Sequence, residues 1–335
     1  MSPGAPTDMS PTDSAVKLNG VTKIFTQWQR DNTGKSLLRN LLKPEKRVIT
    51  ALDQVSFEIR KGEFVAYAGP NGAGKSTTMK LLSGMLIPTS GSISVLGMSP
   101  QKQRCALMRS LGVLFGNRTE LWWDHPVIQS FEWKKVVWDI PDALYRKNLA
   151  MVTELLDLGD LLNTFAREMS LGQRMRADLA LLLLHSPALI LLDEPTLGLD
   201  VMAKRQMIRF LKQLNAQAGT TIVVTSHDMD DLEEMAQRIL LLADGKIAFD
   251  GSFAALRAEL GCTRKAIVDF HNGARKEISY QDTNILLREL SRLEGIANVS
   301  FTQMSLEEGL ANLFVKWRNA PEKLNSYVKA DQHVR

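Results

Sequence analysis

The sequence contains little cysteine, with only Cys105 and Cys262 among its 335 residues. Two cysteines so far apart predict neither a disulfide framework nor a metal site, and a reducing compartment is the default expectation. Long hydrophobic runs are also missing, because the longest one, Leu179–Leu184, is far too short to span a bilayer. Residues 1–15 have no apolar stretch, so we expect no signal peptide there.

The sequence has no large excess of charge of one sign. It carries 41 basic and 37 acidic residues, which gives a formal net charge of +4. No basic run is interleaved with aromatic residues, and no heptad pattern is sustained. We therefore expect no nucleic-acid partner and no long coiled coil.

A complete phosphate-binding loop is present at residues 69–77, which fit the pattern G-x-x-x-x-G-K-[ST]. The loop follows an apolar run at 63–68 and precedes a helix-like stretch at 77–85, the arrangement that places a phosphate at a helix N-terminus. Lys75 offers positive charge to the phosphates, and Ser76 offers a hydroxyl to Mg²⁺. A glycine-rich turn without a ligand is the alternative. The predicted phosphate-binding residues are Gly69, Pro70, Asn71, Gly72, Ala73, Gly74, Lys75, Ser76 and Thr77.

A second apolar run, at 188–194, ends in Asp193 and Glu194. A continuous apolar run is typical of a strand buried on both faces of a parallel sheet, and ligands bind at the carboxyl ends of such strands. Asp193 is placed to hold Mg²⁺ through its water shell, and Glu194 to polarise an attacking water as general base. An ordinary strand end with a helix-capping acid is the alternative interpretation.

Three further motifs complete the pattern. Residues 169–174 read Met-Ser-Leu-Gly-Gln-Arg, residues 198–200 read Gly-Leu-Asp, and a β-branched run from residue 220 ends at His227 and Asp228. In this order they resemble the Leu-Ser-Gly-Gly-Gln signature, the D-loop and the switch histidine of the nucleotide-binding subunit of an ATP-binding-cassette (ABC) transporter. The resemblance covers residues 16–250. A lone histidine is more often a satisfied core residue, but the position of His227 at a strand end that follows the acidic strand favours the switch histidine.

The resemblance implies an α/β fold, namely a P-loop NTPase cassette with a RecA-like mixed sheet core, an antiparallel β part and a helical subdomain. It implies ATP and Mg²⁺ as cofactors and a head-to-tail pair of such domains with two ATP molecules between them. Ser170, Gly172 and Gln173 would then contact the γ-phosphate in trans at a helix N-terminus. His227 would contact it in cis, and Asp200 would couple the two sites.

The chain departs from the family pattern at three positions. Leu171 replaces a signature glycine, and because leucine disfavours positive φ, ordinary helical torsions and a working site are expected. Asn117 stands where the family has a glutamine that senses Mg²⁺, and it is one methylene shorter, so its Mg²⁺ contact is either lost or made through water. Phe25 is the candidate for stacking on adenine, although it could be a core strand residue.

The chain divides by composition into several parts. Residues 1–15 are rich in Ser, Pro and Thr and are predicted to be disordered. Residues 26–50 are predicted to be an insertion, and their basic amphipathic part at 37–47 fits either contact with a membrane or permease or a solvated surface helix. Residues 100–170 are predicted to form the helical subdomain, and 251–335 a C-terminal α+β accessory domain.

The accessory domain has its own predicted elements. Strands are expected at 265–270 and 296–302, and a helix at 284–293. Another helix is expected from Ser305, which would cap it in a box with Glu308.

Four of the six tryptophans fall in the predicted helical subdomain. Trp122 and Trp123, with Asp124, are candidates to line the groove that receives a cytoplasmic helix of the permease in the family. Trp133 and Trp138 are expected in the core of the subdomain.

The favoured hypothesis is a homodimeric ATPase subunit, peripheral at the cytoplasmic face of the inner membrane, that powers a separate multi-span permease. The single cassette, the insertion near residues 26–50 and the accessory C-terminus resemble bacterial ABC-2-type exporters, the group that includes drug and polysaccharide exporters. A soluble ABC ATPase acting on ribosomes or nucleic acid and an importer subunit are the alternatives.

Overall fold

The structure is a computed structural model that describes residues 13–29, 45–116, 119–260, 264–280, 283–303 and 305–319. It contains two compact units. The first runs to His227 and includes Asp231–Asp250, and the second comprises Asp228–Asp230 and the chain from Gly251. The first unit contains two sheets and the second contains one, and each unit has its own hydrophobic cluster.

The secondary structure elements are numbered along the chain. The strands are β1 (Ser14–Gln29), β2 (Glu45–Arg60), β3 (Phe64–Ala68), β4 (Ser90–Val95), β5 (Leu111–Phe115), β6 (Leu189–Asp193), β7 (Thr221–Thr225), β8 (Arg238–Ala243), β9 (Lys246–Ser252), β10 (Arg264–Phe270), β11 (Arg275–Tyr280) and β12 (Ile296–Gln303). The helices are α1 (Lys75–Leu82), α2 (Arg104–Met108), α3 (Val127–Val137), α4 (Asp142–Leu155), α5 (Leu171–Leu183), α6 (Val201–Ala218), α7 (Met229–Met235), α8 (Phe253–Glu259), α9 (Thr283–Leu290) and α10 (Leu306–Asn319).

A six-stranded sheet in the order β5-β6-β7-β3-β8-β9 forms the centre of the first unit. The pairs β5–β6, β6–β7, β7–β3 and β3–β8 are parallel. Strands β3 and β7 are buried along their whole length, and β6 is buried up to its last residue. Burial on both faces explains their continuous apolar sequences. Because β3, β6 and β7 are neighbours, their carboxyl ends present the phosphate-binding loop, the two acids and the histidine segment at one edge.

A three-stranded antiparallel sheet in the order β2-β1-β4 completes the first unit. Strand β1 begins at Ser14, and Ala15 is buried, so the predicted disordered segment 1–15 ends too late. The predicted insertion 26–50 also needs correction at both ends, because Thr26 pairs with Val48 and the two strands continue their ladder to Gln29 and Glu45. Residues 1–12 and 30–44, which include most of the amphipathic segment 37–47, lie outside the described residues.

The part of the chain between β5 and β6 is helical. It contains α3, α4, two short 3₁₀ turns and α5. Trp122 and Trp123 are exposed, as is Trp133, which is 45% exposed. The prediction that Trp133 lies in the core was therefore wrong, because its ring packs on Trp122 at 5.5 Å between centroids at the surface. Trp138 is half-buried and lies over Lys134, whose Nζ is 3.8 Å from the ring centroid.

The second unit contains a three-stranded antiparallel sheet in the order β11-β10-β12. Ala266 and Val268 of β10 pack with Ile278 and Leu286 in its core. The predicted strands and helices are present, and Ser305 Oγ accepts a hydrogen bond from Glu308 N–H at 3.1 Å, as a helix cap does. Strand β11 was not predicted. Across the described ranges of both units, no helix has the length and hydropathy needed to cross a membrane.

Candidate functional site

The phosphate-binding loop follows β3 and leads directly into α1. Its backbone has positive φ at three glycines, Gly69 with 150°, Gly72 with 81° and Gly74 with 112°. A Cβ atom at Gly69 would lie 2.2 Å from the carbonyl oxygen of Leu242, and one at Gly74 would lie 2.5 Å from that of Ala51. The loop is therefore both conformationally special and closely packed, as a backbone that cradles phosphates requires.

Lys75 lies at the first position of α1 and is buried. Its Nζ donates to the carbonyl oxygens of Gly69 at 2.6 Å and Pro70 at 3.3 Å, which uses two of its three ammonium protons. Burial lowers the pKa of Lys75, and the negative charges of Glu194 and Asp193 oppose that effect. The structure thus brings the lysine and the two acids into one electrostatic environment.

The other predicted loop residues surround this lysine. Pro70, Asn71, Gly72 and Ser76 are exposed, Thr77 is half-buried, and Ala73 is buried. Sequence reasoning missed Thr78, whose hydroxyl donates to Gly74 O at 3.2 Å and lies 3.0 Å from the hydroxyl of Tyr67. Thr78 ties the loop to β3, and its hydroxyl among apolar neighbours was the available signal.

Asp193 and Ser76 line the same cleft, which has a volume of about 490 Å³. Their carboxylate and hydroxyl oxygens are the donor types that Mg²⁺ binds, so the described residues fit this ion. Thr225 donates its hydroxyl hydrogen to Asp193 Oδ1 at 2.6 Å. Gly116, which immediately precedes Asn117, also lines the cleft, whereas Asn117 itself lies outside the described residues.

Glu194 forms a pair with His227. Glu194 Oε1 lies 3.2 Å from His227 Nε2, and Glu194 Oε2 accepts the His227 N–H at 3.1 Å. The side chain of Glu194 is 15% exposed and that of His227 is 50% exposed, so the histidine is not a core residue. Burial raises the pKa of Glu194, opposed by the charges of His227 and Lys75. A partly buried carboxylate with a raised pKa is suited to accept a proton from water.

The signature segment forms the start of α5. Ser170 is its N-cap, with Ser170 Oγ accepting Gln173 N–H at 3.2 Å and Gln173 Oε1 accepting Ser170 N–H at 2.8 Å. This is a complete capping box, and it leaves the helix N-terminus as a potential anion site. Leu171 lies in the first turn with a negative φ, as its sequence predicted, and it is exposed.

The signature segment and the D-loop are neighbours within the chain. A Cβ atom at Gly172 would lie 3.3 Å from Ala203 Cβ, close to the start of α6. Asp200 is the N-cap of α6, since its Oδ1 accepts the N–H groups of Met202 and Ala203, both at 2.9 Å. The structure thus gives Asp200 a capping function.

Phe25 lies near the outer end of β1, opposite Ile49 of β2, and is half-buried. Lys23 Nζ is 5.1 Å from the centroid of its ring. The ring is therefore not part of the enclosed core of the first unit.

Comparison with known proteins places the chain in a family. The family model described as ABC transporter matches residues 52–197. The methionine import ATP-binding protein MetN of Nocardia farcinica is 30% identical over 265 residues, which is 77% of this chain and 74% of that protein. The probable multidrug ABC transporter ATP-binding protein YbhF of Escherichia coli is 32% identical over 62% of this chain, and the match spans only 36% of YbhF.

Solved structures agree on the fold. The dimeric post-hydrolysis structure of the ATP-binding cassette MJ0796, bound to ADP and Pi, is 25% identical, with a TM-score of 0.59 over 71% of this chain and 98% of that one. An ATP-binding subunit of an ABC transporter, 22% identical, covers 74% of this chain and 93% of its own with a TM-score of 0.61. The predicted fold class is confirmed. The chain belongs to the ABC transporter ATP-binding proteins and is an ATPase of that family.

Proposed function

We propose that Lys75, Asp193, Glu194 and His227 carry ATP binding and hydrolysis. Their meeting at the carboxyl ends of three neighbouring strands is the observation on which the proposal rests. The loop at 69–77 holds the phosphates, and Lys75 balances their charge. Glu194 takes the proton of the attacking water, and His227 holds Glu194 in position through contacts at 3.1 and 3.2 Å.

Mg²⁺ is the proposed metal cofactor. Ser76 and Asp193 would hold it, since both line one cleft beside the loop, and Asn117 is the third proposed contact. When bound, the ion neutralises charge on the phosphates. Phe25 is proposed to stack on the adenine ring, because base stacking needs an accessible aromatic face.

A second copy of the chain is the proposed partner at the nucleotide. Ser170, Gly172 and Gln173 at the α5 N-terminus would contact the γ-phosphate bound by the other copy. Leu171, with Leu197, Val201 and Met202, is an exposed apolar residue near this helix start, which supports burial against a partner. Asp200 would couple the two nucleotides, because its helix begins beside the signature segment.

The chain is proposed to dock on a separate multi-span permease at the cytoplasmic face of the inner membrane and to drive export. The ATP-binding domain would span residues 16–250, with an accessory domain at 251–335. The exposed rings of Trp122 and Trp123 support a docking surface for a permease helix. The name of the YbhF relative, a probable multidrug ABC transporter protein, supports export.

Import is the second candidate. One observation favours it: the match to the Nocardia methionine import protein extends over 265 residues, further than the 209 residues matched by YbhF. The two directions differ in the permease and in the need for a solute-binding protein, so identification of the partner separates them.

The experiment is co-purification of tagged Glu194→Gln protein with ATP from detergent-solubilised membranes of its host. This variant removes the proposed base and should hold a nucleotide-bound dimer. A multi-span membrane protein retained with ATP and lost without it supports the transporter function. Recovery of ribosomal proteins alone would move the function to a soluble ABC ATPase.

A further inference from the structure

Thr225, the last residue of β7, is fully buried at the point where the two acids of the site leave β6. In the parallel β6–β7 ladder, Asp193 lies opposite Thr225. The Thr225 hydroxyl donates to Asp193 Oδ1 at 2.6 Å and accepts the Glu194 N–H at 3.0 Å. One buried hydroxyl therefore contacts both acids.

The two hydrogen bonds fix the polarity of this hydroxyl. It has a single proton, which goes to the Asp193 carboxylate, while a lone pair takes the Glu194 N–H. A hydroxyl-to-carboxylate bond is charge-assisted and holds the carboxylate in one orientation. A cation in the cleft lined by Asp193 and Ser76 would meet a carboxylate that is already oriented.

The backbone of Glu194 also needs support. Its φ is +58°, in the left-handed region that costs a non-glycine residue free energy. Its N–H is shared between the hydroxyl of Thr225 at 3.0 Å and the Thr225 carbonyl oxygen at 3.2 Å. His227, two residues after Thr225 in the sequence, contacts the Glu194 side chain. The end of β7 thus holds both the main chain and the side chain of the proposed base.

We propose that Thr225 is a positioning residue for the reaction: its hydroxyl orients Asp193 for the divalent cation and holds Glu194 for the attacking water. The inference rests on the proposed function, because it takes Asp193 as a magnesium ligand and Glu194 as the base. It adds a group that would act through the proposed metal ligand Asp193 and the proposed base Glu194, and not on the nucleotide or the metal directly.

A matched pair of substitutions separates the hydroxyl from its packing. Thr225→Val keeps the shape and removes the hydroxyl, whereas Thr225→Ser keeps the hydroxyl and removes a buried methyl group. Thr221→Val is the control, because Thr221 is a buried residue of the same strand whose hydroxyl accepts Gly62 N–H at 2.9 Å, outside the site. All three are first compared with wild type by circular dichroism and thermal unfolding.

The main readout is ATP binding by isothermal titration calorimetry, in EDTA and over a Mg²⁺ series, with steady-state ATPase assays as the second. In Thr225→Val we expect unchanged ATP affinity in EDTA, about 10- to 100-fold more Mg²⁺ for half-maximal enhancement of binding, and kcat about tenfold lower at saturating Mg²⁺. Thr225→Ser should stay within about twofold of wild type in both readouts despite a lower melting temperature. Thr221→Val should lower the melting temperature and leave the Mg²⁺ requirement and kcat unchanged.

A wild-type Mg²⁺ requirement in Thr225→Val would overturn the inference. Equal changes of the Mg²⁺ requirement and kcat in Thr225→Ser and Thr225→Val would also overturn the inference. The packing of the side chain, and not its hydroxyl, would then be responsible for both changes. A failure of the proposed function gives a different pattern: wild type itself would show no enhancement of ATP binding by Mg²⁺, and the inference would fall with it.

Discussion

Asp178 is a buried carboxylate on α5, the helix that begins at the signature segment. Its Oδ1 accepts the hydroxyl of Thr119 at 2.9 Å and the Glu120 N–H at 3.0 Å. Burial raises the pKa of Asp178 to about 6, although these hydrogen bonds oppose the shift. We predict that Asp178→Asn removes a pH-dependent cost from the folded state.

The magnitude follows from the difference between the folded and unfolded pKa values of Asp178. An aspartate in an unfolded chain has a pKa of about 3.9, so the folded-state pKa of about 6 is about two pKa units higher. Each pKa unit corresponds to about 1.4 kcal/mol of free energy. Because the folded-state pKa is raised, the stabilising contribution is complete below the unfolded pKa and is lost as pH rises through the folded one. Between about pH 3 and pH 8, the free energy of unfolding of wild type should fall by about 3 kcal/mol relative to that of the variant. About half of this fall should occur above pH 5.

The assay is urea unfolding of wild type and Asp178→Asn at pH 5, 6, 7 and 8, followed by tryptophan fluorescence. Four of the six tryptophans, at 122, 123, 133 and 138, lie in the same helical part of the chain as Asp178. The free energy of unfolding of the variant should rise relative to wild type by about 1.5 kcal/mol between pH 5 and pH 8. A difference that does not change with pH would refute the raised pKa and the burial argument behind it.

Three further predictions concern the nucleotide site. Lys75→Ala should weaken ATP binding at least about tenfold by loss of a charged contact, and unchanged affinity in calorimetry would contradict the loop assignment. Because burial raises the pKa of Glu194, the fall of kcat with decreasing pH in the Asp178→Asn background should have its midpoint above the usual glutamate pKa of about 4.3, and a midpoint at or below that pH would contradict this. Gly69→Ala should lower the free energy of unfolding by about 3 kcal/mol or more, because the new Cβ would lie 2.2 Å from a carbonyl oxygen. Gly72→Ala, where a Cβ meets nothing within 4 Å, should cost about 1 kcal/mol, and equal losses in the two variants would show that packing at Gly69 does not matter.

The nucleotide site could be predicted in large part because its signals are local. The glycine spacing around Lys75 requires a particular backbone, and an apolar run that ends in Asp193 and Glu194 indicates a buried strand with acids at its carboxyl end. His227 ends a β-branched run, so it too was predicted at the carboxyl end of a strand, where ligands bind. These residues meet because their strands are neighbours in a parallel sheet, which the motif order indicates.

Thr225 and Asp178 could not be assigned from the sequence because their contacts depend on pairing and packing. Thr225 contacts the acids only because β6 and β7 pair with Asp193 opposite Thr225. Asp178 is spaced 58 positions from the Glu120 N–H that it accepts. The available signals were weak: a hydroxyl at the end of an aliphatic strand, and an acid among apolar helix residues.

One further expectation failed and one strand was not predicted, both for physical reasons. Trp133 was expected in the core on the basis of residue type, yet large aromatic rings also pack against each other at surfaces, as Trp133 does on Trp122. Strand β11, with the sequence Arg-Lys-Glu-Ile-Ser-Tyr, has too weak an alternation to be predicted. It forms because β10 offers it a complete antiparallel partner.

The most direct test of the proposed nucleotide-bound dimer is the molar mass of Glu194→Gln protein in solution, measured by light scattering with and without ATP and Mg²⁺. We predict a change from the 37.4 kDa chain to twice that mass when ATP is added. Ser170→Arg in the same background should abolish the change while leaving calorimetric ATP binding intact, because Ser170 is proposed to act on the partner's nucleotide. A monomer at saturating ATP, or a dimer that forms equally well with Ser170→Arg, would contradict the account.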